Sequence, residues 1–327
     1  DISACLVGSE MCIRDRFLDV SDILEPLNDA QREAVTLPKQ SALVLAGAGS
    51  GKTRVLTHRI AWLIKTRGIS PFGFLAVTFT NKAAAEMRGR IESLLEMPLS
   101  GMWVGTFHGI AHRLLRRHYE EAGLPQNFQI MDTDDQLRLV KRVTVGLDLD
   151  EKKWPPRQAV WFINSQKDEG LRPKNIEDYD DLYLKTNLAI YEAYQEACER
   201  GGMVDFAELL LRAHELWLNH PAILRQYQER FSELLVDEFQ DTSQGQYRLI
   251  QKLCRGWSEH NYMNPKHPRT LFIVGDAMQS IYGFRYADVG LFLKARAEGV
   301  AGVQLNDRSL SRNFRSQAGV IDWVNQQ

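Results

Sequence analysis

From residue 41 onward the chain alternates short apolar runs with amphipathic stretches. The run 41–45 precedes a stretch of helical period that begins at Lys52, 74–78 precedes one from Asn81, and 102–106 precedes one from Phe107. Apolar runs followed by a 3.6-residue period are the mark of βαβ units, so this pattern predicts a parallel sheet flanked by helices. Between about residues 132 and 231 the strand signal disappears and helical periods dominate. In 205–218, Phe206, Leu209, Leu210, Ala213 and Trp217 fall on one stripe, as a core-facing helix requires. Strands return at 233–237 and 270–275, so the sheet draws on residues far apart in sequence. The expectation is one α/β domain interrupted by an all-helical insertion. The segment 258–269, rich in His, Asn and Pro, reads as a loop. Residues 1–16 show neither period and are read as a non-native leader, with a native disordered terminus equally compatible with their composition.

Composition narrows the picture only modestly. The 327 residues are 44% hydrophobic and 25% charged, near the averages for globular proteins, which argues against disorder and fibrous architectures. Lys plus Arg number 40 and Asp plus Glu 42, for a net charge of -2. A polybasic protein acting through its overall field is excluded, so any contact with nucleic acid must be local. Cys5, Cys12, Cys198 and Cys254 form no CxxC pair. This spacing suggests neither a disulfide framework nor a zinc site and fits a cytoplasmic protein. No apolar run approaches the ~18 residues of a membrane span.

Candidate chemistry concentrates at two strand ends. Ala46, Gly47, Ala48, Gly49, Ser50, Gly51, Lys52 and Thr53 follow an apolar strand and open a helix, the context of a phosphate-binding loop. Glycines let backbone N–H groups turn inward around phosphate oxygens, and the helix N-terminus adds partial positive charge. Lys52 is expected to reach the β- and γ-phosphates of a nucleotide and Thr53 to hold Mg²⁺. Ala46 stands where the stricter pattern has Gly, which a negative φ tolerates. Leu234, Leu235 and Val236 lead into Asp237 and Glu238. A carboxylate at a strand end is placed to bind Mg²⁺, and its neighbour to take the proton from attacking water. Aromatic residues Phe79, Phe107, Tyr282 and Phe284 sit near predicted strand ends, where a ring offers a nucleobase a stacking surface, although Phe107 fits core equally well. His108, His112 and Arg116 fall at i, i+4 and i+8 with Arg113 and Arg117 beside them. That basic face is either a phosphate track or an ordinary solvated surface.

Together, the glycine-rich loop through Arg54 and the run Asp237-Glu238-Phe239-Gln240-Asp241 resemble the UvrD/Rep group of superfamily 1 DNA helicases. Further blocks agree in order. The segment 27–31 resembles that family's Q motif, which implies that Gln31 reads the adenine edge. The segment 76–84, with Thr78, Phe79 and Asn81, resembles the block that lays single-stranded DNA over the first motor domain. The segment 104–108, with Thr106, Phe107 and His108, resembles the next DNA-contacting block. The segment 275–282 resembles the block whose Gln, here Gln279, senses the γ-phosphate and whose aromatics stack on bases, and 313–316 the one whose Arg315 acts as an arginine finger. From 274 to 292 the sequence is closer to the RecB-type branch of the same superfamily.

The resemblance implies a RecA-like P-loop motor domain in two parts, 17–108 and 231–301, around a helical insertion at 109–230, with 302–327 opening a truncated second motor domain. It implies ATP and Mg²⁺ as cofactors, single-stranded DNA and duplex junctions as partners, no membrane, and 3′ to 5′ helicase activity in repair or recombination. It also implies that this fragment by itself binds Mg-ATP weakly, turns over slowly and does not unwind. The alternative is a module that binds nucleotide and single strands without unwinding.

Overall fold

The computed structural model describes residues 19–310 apart from 48, 277 and 279–286. Ala48, Gln279, Tyr282, Phe284 and Arg315 therefore lie outside the described residues.

Helices α1 (Ser21–Leu24) and α2 (Asp29–Thr36) lead into β1 (Ala42–Ala46) and α3 (Lys52–Arg67). The same rhythm continues through β2 (Phe74–Thr78), α4 (Asn81–Leu95), β3 (Trp103–Thr106) and α5 (Phe107–Arg117). The middle of the chain holds β4 (Gln129–Ile130), α6 (Thr133–Gly146), α7 (Pro156–Asp168), α8 (Leu182–Gly201), β5 (Met203–Val204), α9 (Phe206–Asn219) and α10 (Pro221–Arg230). It returns to the sheet with β6 (Glu233–Val236), α11 (Gln244–Cys254), α12 (Trp257–Met263), β7 (Thr270–Gly275), α13 (Val289–Glu298) and β8 (Asn306–Leu310).

The main sheet runs β3-β2-β6-β7-β1-β8, and every pairing in it is parallel. Here the expected α/β class and RecA-like core are found. Strands buried on both faces sort alternate side chains into two cores. Leu43, Leu75, Val77, Leu234, Val236, Leu271 and Ile273 face one layer with residues of α5, α9, α10, α11 and α13. Val44, Phe74, Ala76, Leu235, Phe272 and Val274 face the other, with residues of α1 to α4. A third core around Ile163, Ile190, Tyr191 and Tyr194 belongs to α6, α7 and α8.

Helix starts follow local chemistry. Thr80 caps α4 by accepting from Ala83 N, and Thr106 caps α5 by accepting from Gly109 N. Asn28 and Gln31 form a reciprocal capping box on α2, which satisfies two otherwise orphaned amides.

Three expectations change. Segment 258–269 is not all loop, because α12 occupies its first half. Trp257 is fully buried there; anchoring such a ring is worth about 3–5 kcal/mol, against at most about 0.7 kcal/mol per residue for poor helix formers. Phe206 leaves the predicted stripe: it is 47% exposed while Leu209, Leu210, Ala213 and Trp217 are buried. As the first residue of α9 it sits where the stripe has not yet turned inward. The helical middle also contains a small parallel pair, β4 with β5, too short to show a period.

A buried charge cluster joins α7 to α9. Lys167 Nζ lies 2.7 Å from Asp205 and 2.9 Å from Glu208, while Arg172 reaches both Glu208 and Glu215. Asp168, at the end of α7, accepts from Ser243 Oγ (2.8 Å) and Gly245 N (3.2 Å) at the start of α11. Among the described residues no helix is long and apolar enough to cross a membrane.

Candidate functional site

The loop after β1 is shaped for close approach. Gly49 (φ 73) and Gly51 (φ 87) are left-handed, a conformation that a side chain disfavours. A Cβ on Gly51 would also meet Gln31 Nε2 at 2.5 Å. Ser50 Oγ donates to Gly47 O at 2.7 Å and closes the loop on itself. Gly51 caps α3 without any side-chain hydrogen bond, so the first amides of a 16-residue helix are left to whatever sits in front of them.

Opposite the loop, β6 delivers the carboxylates. Asp237 N donates to Val77 O (2.9 Å), extending the β2 to β6 ladder by one residue. Its side chain is 1% exposed, and Oδ2 accepts from Thr53 Oγ1 at 2.8 Å. Burial pushes the Asp237 carboxyl up to about 6; the Thr53 hydrogen bond and the Lys52 charge oppose the rise, and the Glu238 charge adds to it. Glu238 takes a left-handed φ of 49°, rare for a residue with a Cβ and often found where function fixes the backbone. That turn aims it into a cavity of about 730 Å³ that Gln31, Lys52, Thr53 and Arg54 also line. Lys52, Thr53, Asp237 and Glu238, separated by up to 186 positions in the chain, thus converge.

Gln31 has a structural role beside the one its motif implies. It is buried, its Nε2 donates to Ser50 O at 2.8 Å, and its Oε1 accepts from Asn28 N at 3.2 Å. It therefore braces the loop, with one N–H and one lone pair left over. Gln240 is a residue that sequence reasoning quoted without giving it a role. Its Oε1 accepts from Asp276 N (3.1 Å) at the end of β7, and a Cβ on Gly275 would meet that same oxygen at 2.6 Å. The turn bearing Asp237 and Glu238 is thereby pinned to the neighbouring strand. The only available signal was a polar residue one turn after two acids, and that does not identify a partner.

Two of the expected DNA-contacting side chains are interior. Phe107 is 5% exposed and packs in the sheet core, its ring 6.3 Å from Phe79. Thr78 is 1% exposed, and its hydroxyl is buried without a hydrogen-bond partner. Phe79 is half-buried, and Asn81 is exposed at the strand ends. Thr106 is spent on capping α5, and His108 lies edge-on to Phe206 at 5.8 Å. The basic face of α5 also divides. Arg116 donates to His112 Nε2, Gln126 O and Phe128 O and stacks on Phe128, so it staples the following loop.

The arrangement gives an anion cradle at a helix N-terminus, a lysine, a hydroxyl-carboxylate pair and a second carboxylate around the same cavity. Mg²⁺ usually binds through one or two protein oxygens together with phosphate and water. Thr53 and Asp237 match that donor set, and among the described residues no larger cluster of potential metal ligands occurs.

Comparison with known proteins agrees with this geometry. The chain is 54% identical over 308 residues to DNA helicase II of Escherichia coli (strain K12), covering 94% of this chain and 41% of that protein. It is 51% identical over 317 residues to DNA helicase II of Haemophilus influenzae, with the same coverage. It is 38% identical over 310 residues to ATP-dependent DNA helicase PcrA of Leuconostoc citreum, covering 94% of this chain and 40% of that protein. The chain thus spans about two fifths of the length of these relatives. Residues 27–298 match the family model described as the UvrD/REP helicase N-terminal domain. The chain therefore belongs to the UvrD/REP helicase N-terminal domain family.

Proposed function

We propose that this chain is the ATP-binding, strand-gripping part of an ATP-dependent DNA helicase that moves 3′ to 5′ on single-stranded DNA and serves repair or recombination. The observation that carries this reading is the 2.8 Å hydrogen bond from Thr53 to Asp237, which brings the phosphate loop and the carboxylate strand into one site. Names of the relatives, DNA helicase II and ATP-dependent DNA helicase PcrA, support it.

In this reading the α3 N-terminus and Lys52 hold the phosphates and offset the negative charge that builds on them. Thr53 and Asp237 would hold Mg²⁺, which when bound supplies Lewis-acid stabilisation of the phosphate oxygens. Glu238 accepts the proton of the attacking water, and Gln240 keeps Glu238 in place. Phe79 and Asn81 face the single strand. Gln279, Arg315, Tyr282 and Phe284 take the sensing, arginine-finger and stacking roles implied by their motifs. The division into a two-part motor domain (17–108, 231–301) and a helical insertion (109–230) is part of the same proposal. The three separate cores support such a division, although α9 and α10 share their core with the sheet.

The test is Mg-ATP binding and hydrolysis, with and without oligo-dT, for wild type, Lys52→Ala and Glu238→Gln. Wild type is expected to bind nucleotide weakly and to hydrolyse it slowly, faster with DNA than without. Lys52→Ala should lose hydrolysis by several kcal/mol of transition-state stabilisation, and Glu238→Gln should bind normally without turning over. Unimpaired turnover in either variant contradicts the assignment.

A further inference from the structure

The cleft between α4 and α5 has a floor of edge strand β3 and a volume of about 480 Å³. At its mouth lie Asn81 and Thr106, next to the strand ends proposed to meet DNA. Its α4 wall carries Asn81, Ala84, Ala85 and Arg88, spaced so that all four share one helix face. Arg88 sits seven residues along from Asn81, about 10 Å further down the helix. The α5 wall carries Arg113. The cleft is therefore a groove that leaves the strand ends and passes two guanidiniums.

Those cations are not spent on acids. Among the described residues no ion pair joins Arg88, Arg113, Arg117 or Arg230 to a carboxylate. Arg88 uses one Nη to donate to Val104 O at 2.9 Å, which fixes the guanidinium across the floor and leaves further donors. Arg113 lies 4.5 Å above the Trp103 ring, and Arg230 lies 5.5 Å from the same ring. Partial burial, and then the charges of Arg230, Arg88 and Arg117, push Arg113 below its ordinary value, the direction expected where cations gather without a counter-charge. Glu92 also lines the cleft, but its carboxylate accepts from Leu99 N at 3.0 Å and so is turned toward the loop after α4. A planar guanidinium held over an aromatic ring is a preorganised phosphate ligand.

We propose that this cleft is a phosphodiester-binding extension of the strand path, in which Arg88 and Arg113 each hold one backbone phosphate of the single strand after it passes Asn81. The inference rests on the single-strand-binding reading above and adds a site to it. The occupant is a nucleic-acid strand and not an acidic peptide, because the groove is continuous with the strand ends.

The experiment measures affinity for a fluorescent dT oligonucleotide of about 16 nucleotides across a salt series. The proteins are wild type, Arg88→Gln/Arg113→Gln, Arg88→Lys/Arg113→Lys and, as a control, Arg138→Gln on the exposed face of α6. Each neutralised phosphate contributes about 0.7 to the slope of log K against log salt for single strands. The Gln double variant should therefore lose about 1.4 of slope. The Lys double variant, which keeps the charges but not the bond to Val104 or the ring stacking, should retain most of the slope, and Arg138→Gln all of it. An unchanged slope in a folded Gln double variant overturns the proposal, as does a loss of the same size in the Lys variant, which would mark a structural role. A polyglutamate peptide that displaces dT from wild type but not from the Gln double variant would assign the cleft to an acidic protein instead, and so overturn it. If wild type fails to bind dT at low salt, the reading beneath falls, and this site with it; binding with an unchanged slope removes the cleft alone.

Discussion

Replacing Lys167 with Met tests whether the buried charge cluster is a balanced unit. Lys167, Asp205 and Glu208 are each almost wholly buried. The cations Lys167, Arg172 and Arg212 face the acids Asp205, Glu208 and Glu215, with the exposed Glu199 a further 3.7 Å from Arg212 at the rim, so no cation of the cluster lacks an acid. Losing Lys167 falls unevenly on its two partners. Glu208 keeps two bonds from Arg172 and one from Arg212, all at 2.8 Å. Asp205 keeps only neutral donors, Tyr194 Oη and Glu208 N, both at 2.7 Å. Stranding one buried charge costs about 3–5 kcal/mol, and the two remaining donors place this case near about 3 kcal/mol. Adding Asp205→Asn removes the stranded charge, keeps an oxygen for the cap on Glu208 N, and turns an amide N–H toward the Tyr194 hydroxyl. The double variant should therefore be more stable than Lys167→Met alone, by about 1–2 kcal/mol. Urea unfolding followed by far-UV circular dichroism and tryptophan fluorescence measures both values. If Lys167→Met loses less than about 1 kcal/mol, or the two losses simply add, the cluster is not the coupled unit described.

Two further outcomes are expected. Burial, with the charges of Lys252 and Arg248 on α11 outweighing that of Glu215, pushes the His214 imidazole from 6.5 down to about 4. The unfolded chain binds this proton first, so the stability it contributes is present above pH 6.5 and is lost as pH falls through about 4; His214→Gln should flatten that part of a melting-temperature profile. Asp168→Asn keeps an acceptor for Ser243 and Gly245 and should change stability by less than about 1 kcal/mol, whereas Asp168→Ala leaves both donors unpaired and should cost about 1–3 kcal/mol in urea titrations.

Local signals were legible in the sequence because they act within a few residues. Helix starts at Lys52, Asn81 and Phe107 and the strands Phe74–Thr78 and Thr270–Gly275 stand where the pattern puts them, fixed by caps at Thr80 and Thr106 and by continuous apolar runs. The glycine-rich loop was readable from its strand and helix context, whereas the two acids, which after a strand are often only a solvated turn, became readable only in combination with that loop. What depended on distant partners was hidden. Nothing near Gln31 announces Ser50 O as its acceptor, and nothing near Arg116 announces the carbonyls of Gln126 and Phe128. Phe79 and Phe107 look alike in sequence, yet only Phe107 points fully inward, because the first turn of α5 faces the sheet. Asp168 reads as one more surface acid until α11 is packed against it.

The strand order has a consequence for the timing of synthesis. β6 and β7 sit between β2 and β1, so β1 has no neighbour in the sheet until roughly 230 residues after it have been made. At ribosomal speeds that wait is roughly 10–45 s, during which an uncharged Ala42–Ala46 strand with both hydrogen-bonding edges open depends on α2 and α3 for cover. Such a segment is a template for misassociation until it is paired. A shorter interval keeps Thr53 apart from Asp237, 184 positions later. A nascent chain thus carries its glycine-rich loop long before the acids arrive, and the cavity between them closes only when the sheet does.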